Sequence, residues 1–143
     1  MQSNRLVIGL LCSRLHPLIS GSMLVLQVTG RRTGRTIQLP VNYVRDAGEE
    51  GLLWLTSTRE RTWWRNLRDG APVGVCLRGR WLTGAAMVDE ETAAVMSGLR
   101  RMFDSKPGMA RFFKVAAEPG GGWRLADLEA AGRARVVIRV MLD

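Results

Sequence analysis

Residues 23–44 read MLVLQVTGRRTGRTIQLPVNYV, two apolar runs separated by a basic loop that contains two glycines. The first run, over residues 23–29, is almost continuously apolar, which is typical of a buried strand. The second run alternates, which predicts another strand with one buried face. Because proline lacks an N–H group, Pro40 within that strand indicates an edge, a bulge or an opening in the ladder. The odd-numbered side chains of the second run are Ile37, Leu39, Val41 and Tyr43.

The loop between the two runs, Gly30-Arg31-Arg32-Thr33-Gly34-Arg35, has the composition of a phosphate-binding site. Glycine reaches backbone conformations in which successive N–H groups turn toward one concave side and bind an anion. Arginine adds charge and forked donors that match phosphate oxygens. Neither of the common nucleotide motifs, GxxxxGKS/T and GxGxxG, is present. The alternative for this loop alone is an ordinary basic hairpin, because glycine is frequent in exposed turns.

A second cluster, Trp63-Trp64-Arg65-Asn66-Leu67, stands shortly before an apolar run that begins near Pro72. With both clusters in this order, the chain resembles the deazaflavin-dependent nitroreductase family, split-β-barrel oxidoreductases that bind coenzyme F-420. The family's basic loop is matched by residues 28–35, its following proline by Pro40 and its aromatic segment by the second cluster. The resemblance covers about residues 23–88.

The resemblance implies an α+β fold, a small split β-barrel of about six mostly antiparallel strands. An N-terminal helix and helices before the last strand complete this fold. The implied activity is hydride transfer from a reduced 8-hydroxy-5-deazaflavin coenzyme (coenzyme F-420) to a quinone, an enone or a nitro compound. FMN is the alternative cofactor. In such an enzyme the cofactor carries the redox chemistry, and the protein supplies orientation and electrostatics.

The resemblance also implies which residues hold the cofactor. The three arginines of the loop would bind the phosphate and the acidic tail, with backbone donors from Thr33 and Gly34. Backbone and hydroxyl groups of Ser57 and Thr58 would approach the ring and the phosphate. The full implied cofactor-binding set is Arg31, Arg32, Thr33, Gly34, Arg35, Pro40, Ser57, Thr58, Trp63, Trp64 and Asn66.

Five side chains of this region have more than one possible role. Adjacent residues of a helix point in different directions, so at most one of Trp63 and Trp64 covers a flat ring while the other packs in the core. Asn66 hydrogen-bonds a loop or a ring carbonyl, or else supports its own helix or is exposed to solvent. Asn42 and Tyr43 are candidates to donate a hydrogen bond to the acceptor oxygen. If the odd-numbered face is the barrel face, Tyr43 is a core residue and Asn42 alone reaches a groove.

Periodicity and turn residues predict the remaining elements. They are a helix over residues 4–16, a strand over 52–56, a short helix from an N-cap at Thr62 to Arg68 or Asp69, a hairpin of strands 72–77 and 81–88, a helix over 90–103, a shorter helix through Phe112 and Phe113, and a final strand over 133–142.

The length and the net charge of the chain limit the classes of protein to which it can belong. A chain of 143 residues is long enough to bury a core as one domain, residues 1–143. The formal net charge is +8, almost all of it from arginine, since Lys106 and Lys114 are the only lysines. This balance favours anionic partners. Because the arginines are scattered and no recognition motif is present, we expect no nucleic-acid partner and instead a small-molecule acceptor substrate.

The sequence offers few metal ligands and no membrane span. Cys12 and Cys76 lie far apart, and His16 is the only histidine, so no metal site is expected. The apolar run over residues 6–11 is too short for a membrane span or a secretory signal. We therefore expect a cytoplasmic protein, either a monomer or a homodimer. The N-terminal helix packs on the barrel or makes a peripheral membrane contact.

The alternative function is a non-catalytic split-barrel protein that binds a fatty acid or another amphipathic ligand. Three features favour this alternative: a short connection between Ser57 and Trp63, an apolar N-terminal helix, and a single tyrosine, Tyr43. Nitro- and quinone-reducing members of the family use tyrosines in their C-terminal part. Oxidation of the reduced cofactor on addition of an acceptor would distinguish the enzyme from the carrier.

Overall fold

An antiparallel sheet of seven strands forms the frame of this protein. The computed structural model describes residues 5–6, 8–9 and 23–143. The strand order is β2-β1-β5-β6-β7-β4-β3, and every neighbouring pair is antiparallel. The strands are β1 (Met23–Thr29), β2 (Thr36–Asn42), β3 (Val44–Arg45), β4 (Leu52–Thr58), β5 (Ala71–Leu77), β6 (Arg80–Asp89) and β7 (Arg135–Leu142).

The first two strands pair along their whole length, from Met23 opposite Asn42 to Thr29 opposite Thr36. β2 is an edge strand of the sheet. Pro40 lies within it, opposite Val25. An edge strand accommodates a proline because one side of its backbone has no ladder to complete. The prediction of an edge at Pro40 is confirmed.

The sheet curls until β2 approaches β4 across its open side, which gives a split barrel. The alternate side chains that point inward form the main core, and the tryptophans of a 3-10 helix, η1 (Trp63–Leu67), also belong to it. Side chains buried in this core include Leu24, Leu26, Leu55, Val75, Ile138 and Val140. The α+β split-barrel class predicted from the sequence is confirmed, with one strand more than expected.

Two α-helices cover part of the outer face of the sheet. They are α1 (Thr92–Ser105) and α2 (Leu125–Ala134), and a second 3-10 helix, η2 (Pro107–Phe113), lies between them. A second core of buried apolar side chains joins these helices to β3, β4 and β7. Trp54 and Phe103 are its largest members.

Three details of the predicted elements are wrong. The single strand predicted to reach Val44 is interrupted at Tyr43, so its end becomes β3. The last strand begins at Arg135 rather than at residue 133, because α2 continues to Ala134. The helix α2 itself was not predicted, and Gly132 near its end lowers its helix propensity.

Other predictions lie partly outside the described residues. Residues 5–6 and 8–9 are helical, as expected, but the rest of the helix predicted over residues 4–16 is outside the described part, with Cys12 and His16. Cys76 is buried on the outer face of the sheet beside Val25. That the whole chain is one domain stays a prediction.

Candidate functional site

The basic loop closes tightly between β1 and β2. The N–H group of Gly30 donates to the carbonyl of Arg35 at 2.8 Å, and that of Gly34 donates to the carbonyl of Gly30 at 2.9 Å. Gly34 has a φ of +69°, which side chains with a Cβ rarely adopt. The hydroxyl of Thr33 accepts a hydrogen bond from the N–H group of Arg35 at 3.2 Å. The side chain of Thr33 therefore stabilises the loop, while its backbone N–H group stays available to a ligand.

Two backbone donors of this loop point to no partner. Within the described residues, the N–H groups of Arg32 and Thr33 make no hydrogen bond. Residues 31–35 of the loop are exposed, and among the described ion pairs the loop takes part in one, between Arg31 and the carboxylate of Asp69 at 4.0 Å. Unpaired donors and uncompensated cations side by side give the loop the donor set that an anion requires.

Asn66 connects the basic loop to η1. Its side-chain oxygen accepts a hydrogen bond from the N–H group of Arg31 at 3.0 Å. Its amide nitrogen donates to the carbonyl of Trp63, also at 3.0 Å. Two of the roles considered for Asn66, contact with a loop and support of its own helix, therefore occur together. The two motifs that lie 35 residues apart in sequence form one structural unit.

The other end of η1 is fixed by an ion pair. Arg68 binds the carboxylate of Glu90 through two hydrogen bonds, of 2.9 and 2.8 Å. The hydrogen bonds from Arg68 lower the pKa of Glu90 and outweigh its partial burial. The guanidinium groups of Arg65 and Arg68 also lie over the ring of Trp64, at 5.6 and 5.3 Å from its centroid. Glu90 thus holds η1 against the end of β6.

Both tryptophans of η1 are buried in the main core. Trp63 is 8% exposed and Trp64 is 3% exposed, so neither presents an open ring face. That one of them covers a flat ligand stays a prediction. The indole nitrogen of Trp64 is buried and has no hydrogen-bond partner among the described residues. Thr62 occupies the N-cap position but makes no side-chain cap, so its predicted capping role is wrong.

Ser57 and Thr58 end β4 on opposite faces of the sheet. Ser57 shares the inner face with Leu55 and is buried, and its hydroxyl donates to the carbonyl of Thr58 at 3.0 Å. Thr58 lies opposite Arg135 of β7. The two hydroxyls therefore cannot face one ligand together. β3 pairs only with Leu53 and Trp54, so the later part of this edge of β4 has no paired strand within the described chain.

The two candidates for the acceptor contact lie apart from the basic loop. Tyr43 is buried in the main core, as expected if the odd-numbered face is the barrel face. Asn42 is exposed at the opposite end of β2 from the loop. Asn42 lies six positions along the strand from Thr36, which corresponds to roughly 20 Å. Pro40 shares the outer face with Asn42, so its ring also points away from the barrel interior.

Sequence reasoning missed the apolar surface beside the loop. Ile37 is 37% exposed although it belongs to the inward-facing series of β2. Leu39, on the same face, is only partly buried against the main core. This open strip begins two residues after Arg35 and borders the gap between β2 and β4. The alternation of the strand together with Pro40 was the available signal, because an edge strand leaves part of its inner face uncovered.

The donor set and the strip together fit an elongated ligand with one anionic and one apolar part. The anionic part matches the uncompensated arginines and unpaired N–H groups of the loop, and the apolar part matches Ile37 and its neighbour. A phosphate-bearing cofactor with a fused ring has this composition.

Among the described residues, no helix has the length and apolar character needed to cross a bilayer.

Solved structures of the same fold include several cofactor-binding proteins. A general stress FMN/FAD binding protein from Xanthomonas citri has 17% identity and a TM-score of 0.54, over 88% of this chain and 78% of that one. An FAD and heme binding protein from Mycobacterium smegmatis has 16% identity and a TM-score of 0.52, over 92% and 67%. A proposed 5-nitroimidazole antibiotic resistance protein from Bacteroides thetaiotaomicron has 16% identity and a TM-score of 0.54, over 91% and 78%. At these identities the likeness establishes the fold alone.

The curled sheet and the arginine-rich loop at its edge define this protein as a split-barrel oxidoreductase of the deazaflavin class. The model of one family, the F420H(2)-dependent quinone reductases, matches residues 11–108. The chain belongs to that family. No curated protein matches it by sequence.

Proposed function

We propose that this protein transfers a hydride from reduced coenzyme F-420 to a quinone. Membership of the quinone reductase family supports the reaction class. The hydrogen bond between Arg31 and Asn66 carries the assignment of the site, because it brings both family motifs together beside an apolar strip. The acceptors also considered from the sequence, enones and nitro compounds, are alternatives for the same site.

The basic loop would hold the anionic part of the cofactor. Arg32 and Arg35 supply forked cationic donors, and the free N–H groups of Arg32 and Thr33 supply backbone donors. Gly34 allows the left-handed conformation that closes the loop. Arg65, on the adjacent helix, carries no carboxylate partner among the described ion pairs and adds to the positive field.

The gap between β2 and β4 would receive the ring. Ile37 and Leu39 form one wall, and the unpaired edge of β4 beyond Trp54 offers main-chain donors and acceptors on the other. Ser57 would contribute through its backbone, because its hydroxyl is already engaged with the carbonyl of Thr58. Exclusion of water from such a gap strengthens every polar contact made inside it.

When bound, the reduced deazaflavin supplies the hydride, and the quinone takes up two electrons with it and a further proton from solvent. The side chains named above bind and orient, and none has a covalent role. Alignment of donor and acceptor is the main catalytic contribution that such a site makes. The loop would fix one end of the cofactor, and the edge of β4 would limit the movement of the other.

The test is a titration of the intact protein with oxidised coenzyme F-420, followed by turnover of the reduced coenzyme with a soluble naphthoquinone. An Arg32→Ala/Arg35→Ala variant removes two of the loop cations, and an Arg78→Ala/Arg80→Ala variant removes two arginines of the β5–β6 hairpin as the matched control. FMN serves as the alternative ligand. We expect binding to weaken at least about a hundredfold in the loop variant, since each charged contact contributes about 1.5–3 kcal/mol.

Three outcomes would contradict the proposal. If the control variant weakened binding of the coenzyme equally, the loss would be a general effect of charge and not the loss of a specific site. If FMN bound more tightly than coenzyme F-420, FMN would be assigned as the cofactor instead. Binding of the coenzyme without oxidation of its reduced form by quinones, enones or nitro compounds would favour the carrier of an amphipathic ligand.

A further inference from the structure

The 3-10 helix η2 displays an aromatic side chain to solvent between basic ones. Phe112 is 74% exposed, whereas its neighbour Phe113 packs toward the second core, with its ring 5.4 Å from that of Phe103. Arg111 precedes Phe112 and Lys114 follows Phe113, and both are exposed. An isolated phenylalanine at this exposure gains little from folding, because most of its apolar area stays in water.

The chain segment that contains Phe112 is mostly basic. Between Lys106 and Arg124 the chain carries four basic side chains and one acidic one, Glu118. No ion pair among the described residues includes Lys106, Arg111 or Lys114. Both lysines of the whole chain lie in this segment. The three residues Arg111, Phe112 and Lys114 are called the η2 patch below.

We propose that the η2 patch docks this protein on an anionic lipid surface. A protruding aromatic side chain enters the headgroup region of a bilayer while the basic groups around it stay at the level of the phosphates. The apolar part of the patch is too small for a stable protein interface, which buries about 800 Å² on each partner. A bilayer needs no complementary shape, and charge complementarity with its anionic headgroups is what the patch offers.

The η2 patch lies at the same end of the sheet as the candidate site. The guanidinium group of Arg135 lies over the ring of Phe113, 4.5 Å from its centroid. Arg135 is in turn opposite Thr58, the last residue of β4. The η2 patch therefore lies near the end of β4 that borders the gap between β2 and β4. If the proposed function holds, this closeness favours acceptors dissolved in the membrane over those in water.

The test is sedimentation of the intact protein with vesicles of equal parts phosphatidylglycerol and phosphatidylcholine, beside vesicles of phosphatidylcholine alone. Phe112→Ser removes the aromatic group, and Arg111→Glu reverses one charge. Trp81→Ser and Arg80→Glu are matched controls, since both side chains are exposed on the β5–β6 hairpin, away from η2. We expect each change in the patch to lower the affinity for the anionic vesicles about tenfold or more, and each control to leave it unchanged.

Retention of binding by Phe112→Ser would overturn the proposal and assign the contact to another segment, such as the N-terminal helix. Absence of binding by the intact protein would also overturn it. Neither result depends on catalysis, because sedimentation requires no cofactor. Turnover of a soluble quinone by Phe112→Ser is expected to stay normal, so failure of the proposed function would be seen separately.

Discussion

The side-chain oxygen of Asn66 lies 3.0 Å from the backbone nitrogen of Arg31 and accepts its hydrogen. Through the second hydrogen bond of Asn66, to the carbonyl of Trp63, the position of the basic loop is set by a helix that is itself anchored in the core. The loop is therefore held in place by a residue outside its own sequence. That residue, Asn66, has an uncharged side chain.

Replacement of Asn66 is expected to weaken cofactor binding without removing any cation. Asn66→Ala loses both hydrogen bonds, which costs roughly 1–2 kcal/mol of stability and allows the loop to shift. We expect the dissociation constant for coenzyme F-420 to rise about tenfold. Gln38→Ala, which removes an exposed hydrogen bond to Gln27, is the control. An unchanged dissociation constant in Asn66→Ala would show that the loop keeps its shape unaided.

The packing of α1 on the sheet depends on Gly98. A Cβ atom there would lie 2.9 Å from the Cγ1 atom of Val137 and 3.3 Å from the ring of Trp54. Gly98→Ala is expected to lower the free energy of unfolding by about 1–3 kcal/mol, although alanine is the better helix former. Gly108→Ala, where no atom lies within 4 Å, should change it little. Urea denaturation measures both, and equal stabilities would refute the close contact.

The stability of the β3–β4 corner should depend on pH through Asp46. Burial alone would raise the pKa of Asp46, but hydrogen bonds from Trp54 and two backbone N–H groups, together with Arg101, hold it below its ordinary value. Its side chain is 3% exposed. The pKa of Asp46 in the folded protein is below its unfolded value of about 3.9. Ionised Asp46 therefore contributes its full stabilisation of the fold above that pH. This stabilisation is lost as the pH falls through the folded pKa.

Asp46→Asn is therefore expected to be less stable than the intact protein at neutral pH, by on the order of 2 kcal/mol. The difference should shrink as the pH falls below about 4. Glu49→Gln, an exposed neighbour, is the control for a general loss of charge. Thermal unfolding across this pH range gives the comparison, and a constant difference between the intact protein and Asp46→Asn would refute the linkage.

The hairpin between β5 and β6 stores a small amount of strain at Arg78. Arg78 and Gly79 have φ angles of +51° and +77°, the pair of conformations that a type I′ turn requires. Asparagine adopts the left-handed region more readily than arginine does. Arg78→Asn should raise the free energy of unfolding by roughly 0.5 kcal/mol, part of the left-handed penalty. Arg80→Asn, within β6, should bring no gain, and destabilisation by Arg78→Asn would contradict this account.

The strands and the anion-binding composition of the loop could be predicted from local sequence patterns. The turn at Arg78-Gly79 and the alternation around Pro40 depend on neighbours in sequence, and both appear where they were predicted. The contact between Arg31 and Asn66 could not be derived in this way, because it joins residues that only the curl of the sheet brings together. The burial of both Trp63 and Trp64 has the same origin, since a 3-10 helix that closes a barrel can bury adjacent residues.

The two edges of the sheet have a consequence for self-association. One edge strand contains Pro40, which lacks a donor, and the other is the two-residue strand Val44–Arg45. Short edges and edge prolines prevent another chain from adding a strand, which is the first step toward fibrils. An added strand would therefore have to pair with the open part of β4 beyond Trp54, which borders the gap between β2 and β4. A ligand bound in that gap would also shield this stretch of edge from another chain.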